Sequence, residues 1–254
     1  MNMGEINLEY KKLGRVTFDE EVKESIDKKD GIHSIVYYVY NIMMIWLFGL
    51  LIFKTQIYTS LEIYFNSKDF FKFLFYMPFV IIQILPVFII LYFKKQTISS
   101  IGIKKDKIMK STLIGIIGSI PFSILNIIGP ISSGKTLNPS LVDNFWIFLF
   151  FLICIGFVEE IIFRGFLQTR IEELMKSKWT STIFVGIMFG LMHVPIQMIQ
   201  ADMSLIEFIV YDLGHLIITS LMHIYFVYLY TRDKNIIAPT VAHAIINFSY
   251  AIFV

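Results

Sequence analysis

FWIFLFFLICIGFVEEIIFRGF, residues Phe145–Phe166, is the stretch on which the fold turns. As a helix rising about 1.5 Å per residue it is long enough to cross the roughly 30 Å hydrocarbon core of a bilayer. Every residue in it is apolar or glycine except Glu159, Glu160 and Arg164. Hydrocarbon desolvates such charges at a cost of about 2.5–3.5 kcal/mol each, so they must have partners or a task.

Comparable runs recur on both sides. Ser34–Phe53, Phe70–Phe93, Ser111–Ile128, Thr180–Ile199, Leu205–Tyr230 and Ile236–Val254 complete a set of seven candidate spans. Pro78 and Pro86 kink the second without forbidding it. The whole chain follows this pattern, with 56% hydrophobic and 17% charged residues among 254 and a mean hydropathy of +0.68. The expected fold is all-α, a polytopic integral membrane helical bundle of about seven transmembrane helices. Residues 1–33 read as a cytoplasmic N-terminal arm, partly helical along the membrane surface, and 34–254 as the membrane-embedded domain. The mixed charge of the arm is not the layout of a cleavable signal peptide, so insertion is expected to start at the first span. A net charge of +2 is too small to imply a nucleic-acid partner. The single cysteine, Cys154, excludes a disulfide framework and reads as packing.

Orientation follows from the lysine and arginine bias of short loops. Lys94–Lys110 is strongly basic, and the segments around Arg170, Lys176 and Lys178 and around Arg232 and Lys234 are basic too. They alternate correctly if all three are cytoplasmic. This predicts a multi-pass cell-membrane protein with its N-terminus inside.

Polar groups cluster in the last four spans. Glu160 and Arg164 are four apart, in the favourable order for an ion pair, and Glu159 is rotated away by about 100°. Read alone, the three charges make a packing triad as readily as a site. His193 follows Phe189 by one turn in the fifth span, and His243 and Asn247 share a face in the seventh. At about 1.5 Å per residue, Glu159, His193 and His243 fall at similar depth, between roughly 10 and 20 Å from the cytoplasmic ends of their spans, which favours one site. Its natural chemistry is hydrolysis. Glu159, helped by His193, would take a proton from water, and His243 and Asn247 would hydrogen-bond the oxyanion. Two histidines and a carboxylate also form a familiar zinc set, so Glu159, His193 and His243 are the ligands a metal would use. The zinc-protease motif HExxH is absent.

The residues resemble the CPBP family, also called Abi or CAAX-protease and bacteriocin-processing proteins. EEIIFR (Glu159–Arg164) is similar to EExxxR, FGLMH (Phe189–His193) to FxxxH, and HAIIN (His243–Asn247) to HxxxN, in order, across about 145–248. The resemblance implies an all-helical intramembrane endopeptidase acting on a membrane-associated protein or peptide. It implies Glu159 and His193 as water-activating residues and His243 and Asn247 as the oxyanion site, with Glu160, Arg164 and Phe189 in support. It also implies a glutamate-dependent mechanism with no cofactor, zinc being the alternative because the family has often been classed as metalloendopeptidases. CAAX-type processing, bacterial peptide maturation and bacteriocin self-immunity are all compatible.

The sixth span carries Asp212, His215, Thr219 and His223 at three- and four-residue steps. This polar stripe reads as interhelical hydrogen bonding or as support for the catalytic histidines. Two other function classes compete with the protease. A non-catalytic immunity or signalling partner would be expected to lose a motif position, and none is lost. A transporter or proton relay would be expected to show broken helices or inverted repeats, and neither is evident.

Overall fold

A computed structural model describes residues 25–254. For residues 1–24, the expected surface arm lies outside the described residues. The helices are α1 (Lys28–Phe53), α2 (Ile57–Glu62), α3 (Lys68–Phe93), α4 (Ile108–Ser132), α5 (Leu141–Met175), α6 (Lys178–Ala201), α7 (Leu205–Tyr211), α8 (Leu213–Asp233) and α9 (Ile237–Ala251). No strand occurs among the described residues beyond an isolated bridge between Leu137 and Phe253. The molecule is an all-α bundle, and α1, α3, α4, α5, α6 and α8 are each long and apolar enough to cross a membrane.

Local chemistry accounts for where these helices begin. α1 starts six residues ahead of the expected span because Asp27 and Asp30 form a reciprocal capping box. Ser67, Ser140 and Ser177 cap α3, α5 and α6 through their hydroxyls. The expected sixth span is two helices, because the chain breaks at Asp212 between α7 and α8. The seventh, α9, has only 15 residues, about 22 Å of helix, and does not bridge the hydrocarbon core alone. α5 is longer than expected at 35 residues, and π-helical turns at Phe150–Phe157 and Ile161–Leu167 flank the two glutamates. Such wide turns often mark functional positions in a helix.

Proline leaves α3 with an orphan carbonyl, since Pro86 cannot donate to Ile82. Tyr40 of α1 donates its hydroxyl to that oxygen at 3.0 Å. Tyr37 adds a bond to the Gln83 carbonyl and Gln83 one to Asn41, both at 2.9 Å. These bonds fasten α1 to α3 where apolar contact with lipid gives little preference.

Small residues let the other helices approach closely. A Cβ on Gly190 would stand 2.3 Å from the Ser220 hydroxyl, and one on Gly186 would stand 2.9 Å from the Ser220 carbonyl. This seam joins α6 to α8. Gly115 does the same for α4 against α9, and Gly156 for α5 against α9. The result buries the 161–171 stretch of α5 at the centre, with Ile161, Ile162, Phe163, Phe166, Leu167 and Ile171 all at 0% exposure.

The three basic segments meet at one end of the bundle. Arg170 bonds Gln96, Asn235 bonds the Lys104 and Asp106 carbonyls, and Lys110 pairs with Asp233. At the opposite end Lys54 pairs with Asp202, and the lysine holds that carboxyl below the usual carboxylate range.

Candidate active site

The middle of α5 supplies both glutamates. Glu160 and Arg164 are fully buried and lie 3.1 Å apart, Oε1 to Nη1, the ion pair expected from their spacing. The guanidinium is held between two aromatic faces, its carbon 4.2 Å from the Phe189 ring centre and 4.8 Å from that of Phe226. Phe189 was expected to support the site. Phe226 was not, because it belongs to no motif and reaches the site only through the α5–α8 packing.

His243 comes from α9. Its Nδ1 lies 3.1 Å from the same Glu160 oxygen that faces Arg164, and its Nε2 stands 3.8 Å from Glu159 Oε2. The ring is stacked on Phe226 at 4.8 Å and 20°. Glu160 is therefore held by two partners, and the histidine's orientation is set by one of them. A carboxylate can only accept, so Nδ1 carries the proton and Nε2 faces Glu159.

His193 of α6 is oriented by its own helix. Its Nδ1 donates to the Phe189 carbonyl at 2.9 Å, because a carbonyl offers no proton. In the neutral ring this leaves a lone pair on Nε2. His193 lies within electrostatic reach of Glu159, His243 and His215. Asn247, one turn beyond His243 on α9, is half-buried and makes no hydrogen bond to the other candidates among the described residues.

The polar stripe of the sixth span divides. His223 is fully buried and its Nε2 bonds Gln168 of α5 at 2.9 Å. Gln168 in turn reaches Ser181 and Thr182 of α6. This is the interhelical bonding that the stripe suggested. Asp212 and His215 instead pair with each other at 2.9 Å, with the His215 side chain 52% exposed.

Among the described residues no three His, Cys, Asp or Glu side chains are grouped to share a metal ion. In the alternative zinc set, Glu159 stands 3.8 Å from His243, whose other nitrogen is turned to Glu160. With its Nδ1 on Glu160, the His243 ring presents Nε2 toward Glu159. An apolar groove of about 430 Å³ runs between α1, α6 and α7 past Val194 and Pro195, and none of the four candidate catalytic side chains lines it.

Residues 141–249 match the family model described as Type II CAAX prenyl endopeptidase Rce1-like. No curated protein and no solved structure matches the chain. The matched segment begins with α5 and ends within α9, so it contains Glu159, Glu160, Arg164, Phe189, His193, His243 and Asn247. Through this segment the chain, a multi-pass membrane protein, is similar to the Rce1-like CAAX prenyl endopeptidases.

Proposed function

We propose that the protein is a glutamate-dependent intramembrane endopeptidase that hydrolyses peptide bonds of a membrane-associated protein or peptide without a metal ion. The observation that carries this reading is the meeting of Glu159 and His243 Nε2 above a buried Glu160–Arg164 pair, within the family-matched segment. In the proposed reaction the Glu159 carboxylate takes a proton from water as the water oxygen bonds to the peptide carbonyl carbon. His193, with its Nε2 lone pair, orients the same water and shares the base role. The proton then passes from Glu159 to the departing amide nitrogen as the C–N bond breaks.

Oxyanion stabilisation falls to Asn247 and His243. Since His243 Nδ1 donates to Glu160, its Nε2 can donate to an oxyanion only when the ring carries both protons. The Glu160–Arg164 pair thus fixes a donor in place and takes no part in proton transfer. The family description names CAAX prenyl endopeptidases, and the substrate class taken for this chain is the broader one of membrane-associated peptides.

The roles separate by kinetics. Asn247→Ala, which removes one oxyanion donor, is expected to lower kcat by about 10²–10³-fold with little change in KM. Glu159→Ala and His193→Ala are expected to abolish turnover. Wild-type kcat in a folded Asn247→Ala protein would remove that residue from the oxyanion site.

A further inference from the structure

The surroundings of the site are fully buried on one side and partly exposed on the other. Toward the basic end, Ile161 to Phe163, Arg164, Phe166 to Gln168, Arg170 and Ile171 are without exposure, as are Val185, His223 and Val227 from the facing helices. Toward the opposite end, Glu159 retains 13% side-chain exposure, and His193, Gln197 and Asn247 are all half-buried. The site therefore has a floor of buried side chains on the basic side.

The α6–α8 seam shows what stands at the open side. Gly186 packs against Ser220 and His223, and Gly190 against Leu216 and Ser220, so the two helices run antiparallel in that register. Continuing it by one turn brings His193 level with the 212–216 stretch. There the α7–α8 break leaves Leu213 and Gly214 exposed and sets the Asp212–His215 pair at the rim. A carboxylate and an exposed imidazole do not face hydrocarbon, so this rim is wet.

The opposing ends differ in charge as well. All three basic segments are tied together at the closed end, whereas the lysines at the open end are Lys54, Lys68, Lys72 and Lys135. The lysine and arginine excess marks the cytoplasmic side.

We propose that the cleft opens through the Asp212–His215 rim to the face of the membrane opposite the basic loops. The peptide it takes is then an extracytoplasmic portion of a membrane-associated substrate. The substrate assignment rests on the peptidase reading, but access to the cleft does not.

Cysteine accessibility tests it without requiring turnover. Starting from Cys154→Ser, single cysteines are introduced as His215→Cys, Gln197→Cys, Asn247→Cys and Lys105→Cys in full-length protein that elutes as the wild type does in detergent. Right-side-out spheroplasts are treated with a membrane-impermeant methanethiosulfonate reagent, before and after permeabilisation. The rim and cleft positions His215→Cys, Gln197→Cys and Asn247→Cys are expected to label at the same rate in both conditions. Lys105→Cys is expected to label only after permeabilisation. Labelling of Lys105→Cys in intact spheroplasts would overturn the sidedness. Failure of Gln197→Cys and Asn247→Cys to label from the His215 side, in protein that labels once denatured, would overturn the opening. Either failure leaves the Glu159-dependent peptidase reading standing, since that is read by cleavage.

Discussion

Adjacent glutamates in one helix have different surroundings. Glu160 is fully buried between Arg164 and His243, whereas Glu159 keeps some exposure and faces His243 Nε2. Removing one member of a buried ion pair leaves the other uncompensated, at a cost of about 3–5 kcal/mol. Glu160→Gln is therefore expected to lower the Tm of the detergent-purified protein markedly, and Glu160→Gln/Arg164→Met to recover part of that loss. A double-mutant cycle measures the coupling, and additive single effects would contradict the pairing. The Glu160–Arg164 contact reads directly from the sequence because i,i+4 geometry is local. The bond from His243 to Glu160 does not, because it depends on how closely α9 approaches α5 at Gly156, a tertiary event that no motif spacing records. Phe226 escaped notice for the same reason.

Helices meet in this molecule where glycine admits a backbone. A Cβ on Gly190 would stand 2.3 Å from the Ser220 hydroxyl and 2.9 Å from the Leu216 carbonyl, which leaves no room for a branched side chain. Gly190→Val is expected to force α6 from α8, moving His193 relative to Glu159, so that kcat falls at least as far as in a single catalytic substitution while the protein still inserts. Gly129→Val, at a glycine with open space around it, is the control expected to keep activity. Equal activity in the two variants would argue that the seam does not position the site. At this scale the sequence was legible wherever hydropathy ran long, as in α3, α5 and α6. It misled at Asp212, where apolar residues on both sides averaged out a break. The early start of α1 was hidden because its capping carboxylates lie among charges that read as arm. The π-helical turns of α5 left no sequence signal we can identify.

As a whole the molecule is a closed floor of basic loops beneath a polar site held at the centre of six long apolar helices. Its helical, membrane-spanning nature followed from composition and run length alone. That the three basic segments share one end followed from their alternation along the chain, and the bonds among Arg170, Gln96, Asn235 and Lys110 bear this out. The direction in which the site opens could not be read in this way, because it depends on which side chains from four helices cover one another. The central claim is that Glu159 drives peptide hydrolysis without a metal. Detergent-purified wild type and Glu159→Gln are each incubated with a peptide library, with and without a strong chelator, and products are read by mass spectrometry. The account predicts wild-type cleavage that survives chelation and is absent in Glu159→Gln. Cleavage by folded Glu159→Gln at the wild-type rate, or wild-type activity lost to chelator and restored by zinc, would contradict it.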